Sequence, residues 1–353
     1  MRKTILYIIL LGVLGYGVYY FLFAKQEDGF PASEAGFAVK DTASIGKIFI
    51  AAHNGQSVLI ERTDSGWVVD KRYKVMKNPI DNLMKILYLQ TPLYPVPKSM
   101  HNNVVSGMVG NGIKVELDNR QGEKMRVFYV GGENKDFTGT YMLMEGAKRP
   151  YLVSKQGFQG YLAPFYSFQV TDWRDRTIFN LKPAEIKSIS LQYPDKPQNS
   201  FVLNNEQEGP KLETSKVLSR RDSLNRRRAN TYLKFFENVN CEGYVVGYHD
   251  VDSIMKTMPK YCSIELKGKG GQYQHLDIYW APLTRRSKNL TAPSADVPEN
   301  KYDADHFYGV MNNYRDTIML QRFVFKKIFR TANEFYEPDE MQPLEIMPES
   351  LKK

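Results

Sequence analysis

The chain has 353 residues, with 48 Lys and Arg against 39 Asp and Glu, a net charge of +9, 13 % aromatic residues and two cysteines. Two cysteines exclude a scaffold held by a disulfide framework, and without a C-x-x-C pair they exclude a cysteine-rich zinc module. The positive surplus fits an anionic partner such as a lipid headgroup or an acidic glycan, and equally fits dispersed charge that serves solubility.

In chain order, the first predicted element is the uncharged apolar run Ile5 to Phe23. As a helix rising about 1.5 Å per residue it would span roughly 28 Å, close to the hydrocarbon thickness of a bilayer. Tyr16, Tyr19 and Tyr20 fall toward its C-terminal end, where amphipathic rings favour the membrane interface. Arg2 and Lys3 precede the run, and Lys25, Glu27 and Asp28 follow it with no positive excess. The positive-inside bias then predicts a single-pass signal-anchor: residues 1–4 in the cytoplasm, 5–23 in an inner membrane and the bulk of the chain in the periplasm. A cleaved signal peptide is the rival reading. The run is longer than a signal core, and Leu22 stands two residues before Ala24, where processing wants a small side chain.

Residues 24–36 read as a linker. Beyond it the sequence predicts an α+β fold built as two tandem repeats, 37–170 and 171–331, with mostly antiparallel sheets because the strand-to-strand links are short. Ile45–Ile50 matches Ile186–Leu191, and Val58–Ile60 matches Phe201–Leu203, each a strand alternation. Asp81–Leu89 matches Asn230–Asn238 as short amphipathic helices, with Asn78 and Pro79 read as cap and first residue of the earlier one. Ile113–Leu117 matches Cys262–Leu266, and Val127–Val130 is laid on Leu276–Trp280. Thr140–Leu162 lies on Phe307–Phe329 without a gap, so that Tyr141 meets Tyr308, Met144 meets Met311 and Phe158 meets Phe325. The interval from Tyr279 to Tyr308 is much longer than that from Tyr129 to Tyr141. It holds a polar, proline-bearing segment, Leu283–Pro298, read as a surface loop. Residues 332–353 are acidic with several prolines and read as a disordered tail or a docking peptide.

Phe37–Asp41 leading into Ile45–Ile50, Gly66–Val69, and Trp173–Phe179 leading into Glu185–Ile189 resemble the domain-of-unknown-function family forty-three-forty, found in Bacteroidota-type envelope proteins. The resemblance covers most of the chain beyond residue 36. It implies a fold and an envelope setting, and no catalytic residue. Some relatives look linked to gliding-associated ABC-type transport systems, which implies an accessory role at most, since the chain has no ATPase motif.

The residues themselves argue against several chemistries. His53, His101, His249, His275 and His306 form no close ligand pair; His249 beside Asp250 and Asp252, and His306 beside Asp303 and Asp305, offer only weak metal spacing. There is no G-x-S-x-G elbow. Gly107 to Gly112 has the wrong glycine order for a dinucleotide fingerprint. Glu116 and Glu265 occupy symmetric strand positions, which favours architecture over catalysis. Cys241 and Cys262 could pair in an oxidising compartment or stay as two buried free thiols. The densest charge feature is Arg220, Arg221, Arg226, Arg227 and Arg228, with Arg285, Arg286 and Lys288 in the long loop as a candidate extension. Such a patch could grip an anionic partner, or be a solvated basic loop.

The expectation is a non-catalytic, membrane-anchored periplasmic binding or scaffold protein of the cell envelope. It needs no cofactor or metal, meets no nucleic acid, and binds other envelope proteins. One alternative is an accessory subunit of an ABC-type or lipid/glycan transport system, handling an anionic lipid or glycan. The other is an envelope-polymer hydrolase, which would show acids in one repeat that the other lacks.

Overall fold

Strands dominate the chain, and every strand pairing among the described residues is antiparallel. The computed structural model describes residues 12–16, 30–158, 160–214, 223–245, 251–287, 301–311 and 316–336. Most of the expected anchor, Ile5–Phe23, lies outside them. Residues 12–16 are helical, with Val13, Leu14 and Tyr16 exposed. Among the described residues no helix is long and apolar enough to cross a membrane. The chain divides into two units, Met1–Asp175 and Arg176–Lys353.

The first unit holds one sheet in the order β4-β3-β2-β1-β6-β7-β8-β9-β5. Its strands are β1 Ile45–Ala52, β2 Ser57–Thr63, β3 Gly66–Val69, β4 Tyr73–Lys74, β5 Gln90–Pro95, β6 Ile113–Asn119, β7 Lys124–Glu133, β8 Thr140–Met144 and β9 Tyr151–Lys155. Helix α1, Lys77–Leu89, buries Ile80, Leu83, Ile86 and Leu87 into the core that the sheet forms with Ile48, Ile50, Val115, Leu117 and Phe128. This helix begins at Lys77 with Met76 at its cap, so Asn78 and Pro79 both lie inside the first turn. Proline is tolerated there because the first backbone N–H groups have no partner within the helix. A second helix, α2, Lys98–Asn111, lies against β7 and was not anticipated from the sequence.

The unit also extends beyond both expected ends. Ala35 is buried, and Glu34 Oε2 accepts from Arg149 Nε at 3.1 Å and from the Tyr151 hydroxyl at 3.0 Å. The end of the predicted linker therefore belongs to the fold. At the other end Trp173, with its indole N–H donated to the Ser167 carbonyl, is buried in the same core. This carries the division past the expected boundary after residue 170.

The second unit repeats the plan as β13-β12-β11-β16-β17-β18-β19-β15. The strands are β11 Ile186–Gln192, β12 Phe201–Glu206, β13 Gly209–Thr214, β15 Gly243–Tyr244, β16 Lys260–Gly268, β17 Tyr273–Pro282, β18 Tyr302–Met311 and β19 Asp316–Gln321; β10 Thr177–Phe179 and β14 Val239–Asn240 pair separately. Helix α3, Arg226–Lys234, takes the place of α1, burying Ala229, Tyr232 and Leu233. Helix α4, Val251–Thr257, follows β15 as α2 follows β5.

The pairing registers repeat residue for residue. Ile48 faces Leu117 and Ile189 faces Leu266, and both ladders shift one step after their first pair, between Ile45 and Lys47 and between Ile186 and Ser188. Tyr141 pairs with Leu152 as Tyr308 pairs with Met319, which matches the gapless alignment of this stretch. One alignment needs correction. Val115 faces Phe128 and Ile264 faces Leu276, so Phe128, and not Val127, corresponds to Leu276. Buried residues run without a break through much of β17, so alternation could not fix its phase.

The tail also needs correction. Ala332–Phe335 form a 3-10 turn whose Ala332 and Phe335 are buried, with Phe335 packed edge-on against Phe201 and Tyr232. Two apolar side chains close a core there, despite the acidic composition. Residues 337–353 lie outside the described residues.

Candidate functional site

The arginine run stands at the start of α3. Asn225 caps that helix, its side-chain oxygen accepting from the Arg228 N–H at 3.1 Å. Arg226 and Arg227 are exposed, whereas Arg228 is partly buried and donates through Nη1 to the Glu334 carbonyl at 3.0 Å. The first turn carries no acidic residue. A helix N-terminus bears partial positive charge and prefers anions, so a basic first turn works against the helix that displays it. Arg285 and Arg286 are exposed on a turn after β17, which Thr284 and Ser287 close by mutual hydrogen bonds at 2.7 and 3.1 Å. None of the described contacts joins these two arginines to those on α3. Arg220, Arg221 and Lys288 lie outside the described residues.

Cys241 and Cys262 form no disulfide; both are buried as thiols in the second core. Burial, together with the nearby Asp277 carboxylate, pushes the Cys262 thiol well above its ordinary range. A thiol raised in this way forms little thiolate.

The symmetric acids both meet lysine side chains. Glu116 accepts from Lys114 at 2.8 Å and from Lys124 at 2.6 Å, and these hydrogen bonds hold its carboxyl below the usual range. Its counterpart Glu265 meets Lys267 at 3.5 Å and His275 at 3.7 Å.

Two polar clusters break the duplication, and both belong to the second unit. Asp277, only 1 % exposed, corresponds by register to Tyr129. Its Oδ1 accepts from Ser263 Oγ at 2.6 Å and stands 3.0 Å from Lys260 Nζ and 3.1 Å from His275 Nε2. Burial by itself would raise the carboxyl; the hydrogen bonds from Ser263 and Lys260 outweigh it and hold the group ionised, below its usual range. The spacing of Ser263, His275 and Asp277 gave no signal, because Asp277 sits inside an apolar strand.

In the other cluster His306 stands between two carboxylates. Its Nδ1 lies 3.3 Å from Asp303 Oδ1 and its Nε2 lies 3.0 Å from Glu242 Oε2. The hydrogen bond to Asp303 raises the imidazole against the opposing effect of burial, with the charge of Glu242 adding to it. Asp303 is itself buried, and its Oδ1 accepts from the N–H groups of Asp305 at 2.8 Å and His306 at 3.0 Å. Sequence placed Asp303, Asp305 and His306 together. Glu242 arrives only through the pairing of β15 with β19, where its N–H donates to the Met319 carbonyl. Among the described residues no group of three or more His, Cys, Asp or Glu side chains is arranged to hold a metal ion. With a carboxylate at each nitrogen, the imidazole presents no open nitrogen to a ligand.

Residues 100–258 match the model of the family described as Domain of unknown function (DUF4340). The resemblance seen in the sequence is thus shown over that span, which runs from α2 of the first unit through α4 of the second. No curated protein and no solved structure matches the chain.

Proposed function

We propose that this protein is a non-catalytic binding module of the cell envelope, tethered by Ile5–Phe23 in the inner membrane with its two units in the periplasm. The observation that carries the binding part is the basic first turn of α3. Arg226 is exposed at the one helix end where cations are disfavoured, so an anionic partner accounts for it better than helix stability does. The tether rests on the length, neutrality and flanking charges of the apolar run. Other envelope proteins with acidic surfaces are the partners this reading favours.

The test has two arms. Full-length chain is fractionated by alkaline extraction of membranes, and protease is added before and after the outer barrier is opened. Retention in the membrane pellet, with cleavage only after opening, is the expected result; recovery in the soluble fraction removes the tether. Partners are then captured from membranes solubilised in mild detergent. Recovery of the chain alone under several conditions removes the binding reading.

A further inference from the structure

The outer face of the first unit's sheet carries a depression of about 290 Å³ beside α2. Its walls are Asn103, Val104, Gly107 and Asn111 on α2, Gly132 on β7 and Tyr141 on β8. Two glycines leave it open: at Gly107 and at Gly132 nothing lies within 4 Å of where a Cβ would stand. A third, Gly131, brings the helix close, since a Cβ there would stand 2.9 Å from Met108 Cγ. Tyr279 occupies the register position of Gly131, and Tyr308, the counterpart of Tyr141, is buried in a small cluster with Ile254 and Val310.

The chemistry of the walls is specific. They offer two carboxamides, a phenol and an apolar patch, and none of the six residues is charged although the chain carries a net +9. Aromatic rings stand around them. Tyr94 on β5 is 48 % exposed and Phe137 is 58 % exposed. Tyr94 pairs with Leu152, which pairs with Tyr141, so the two tyrosines lie in one row of this face, and the 134–139 loop joins β7 to β8 between Gly132 and Tyr141. Phe137 is held at φ +54, a backbone conformation that a bulky residue adopts at a cost. Asn134 fixes it there, accepting from the N–H groups of Thr138 at 2.8 Å and Gly139 at 3.1 Å, while the Phe137 N–H donates to the Asn134 carbonyl at 3.0 Å. The ring belongs to neither hydrophobic cluster of the unit. Backbone strain and ring exposure both oppose stability, so the loop presents Phe137 for something outside the fold.

We propose that this depression is a subsite for a neutral sugar. A sugar ring has an apolar C–H face and a rim of hydroxyls. Tyr141, Tyr94 and Phe137 supply aromatic faces for the first, and Asn103 and Asn111 supply both donors and acceptors for the second. A charged ligand finds no counter-ion in the walls. An added peptide strand is opposed at β5 by Pro92 and Pro95. The volume lies at the small end of the range for ligand pockets, which suits one or two rings rather than a helix. The inference goes beyond the binding reading above: it concerns another site, in the first unit, and a neutral ligand.

The test uses full-length chain in a detergent without a sugar headgroup, with saturation-transfer NMR on cellotriose, maltotriose and triacetylchitotriose, and with trigalacturonate as the anionic comparator. The variants are Phe137→Ala and Gly107→Leu; the second fills the depression while replacing glycine with a better helix former, so the fold is kept. Expected are binding of at least one neutral trisaccharide and a loss of about ten-fold or more in both variants, with thermal unfolding of Gly107→Leu unchanged or raised. Failure of all three neutral sugars, a preference for trigalacturonate, or undiminished binding by Gly107→Leu each overturns it. Partner capture with the same samples separates the two readings. If capture persists while no sugar binds, only this subsite is lost; if sugar binds while capture fails, only the protein-partner reading is lost.

Discussion

The inner and outer faces of the two sheets have fared differently. On the inner faces, Ile48 and Ile189, and Leu117 and Leu266, hold equivalent positions and are all buried. On the outer faces Lys114 stands where Ser263 does, Tyr129 where Asp277 does, and Gly131 where Tyr279 does. A buried position is held by packing density, since a methylene more or less is felt there. An outer position is constrained only by what comes to cover it. The duplicated core is thus the part of the molecule that conserves shape, and the outer faces are where two copies of one fold could acquire separate tasks: a charged, hydrogen-bonded cluster on one and an open, neutral depression on the other.

The comparison can be broken by exchanging its most divergent position. Tyr279→Ala removes a ring that is 3 % exposed and should cost about 3–5 kcal/mol, measured by urea unfolding. The opposite exchange, Gly131→Tyr, pushes a side chain against Met108 and the Tyr141 carbonyl and should cost about 1–3 kcal/mol. A neutral result for either would mean that the outer faces do not differ as described. Leu117→Ala and Leu266→Ala sharpen the other side of the comparison. Each removes a fully buried side chain at the same register and should cost about 2–5 kcal/mol, with the two values close to one another. A large inequality between them would show that the cores are not equivalent.

A smaller effect belongs to the His306 clamp, which the first unit lacks. Its imidazole is raised by Asp303 and Glu242, so its contribution to stability is fully present below the ordinary histidine value of about 6.5 and is lost as pH rises through the folded value. The stability difference between wild type and His306→Gln should therefore be larger near about pH 5 than near about pH 9. A difference that does not change with pH would remove the clamp.

Much of this architecture was legible because the repeat was legible. Ile45–Ile50 and Ile186–Leu191 share a strand alternation, and the stretch from Thr140 aligns with that from Phe307 in the same register that the ladders show. Other elements were hidden for physical reasons. Strand β5 carries Pro92 and Pro95, which argue against a strand until it is seen at the sheet edge, where a missing N–H does no harm. Helix α2 carries Gly107 and Gly110, weak helix formers that read as loop. The sites fared worse, because their members are distant in sequence. Glu242 reaches His306 through an edge strand, and the Asn103, Gly132 and Tyr141 of the depression come from three elements.

The exposed basic turn of α3 is proposed above to bind an anionic partner. The most direct measurement is partner capture from solubilised membranes by the full chain carrying Arg226→Glu, compared with wild type. Acids at a helix N-terminus favour the helix by about 0.3–1 kcal/mol each, so the variant should unfold at a temperature no lower than wild type within a few degrees. Loss of captured partners with the fold intact is the expected result. Equal capture by the two proteins would contradict it.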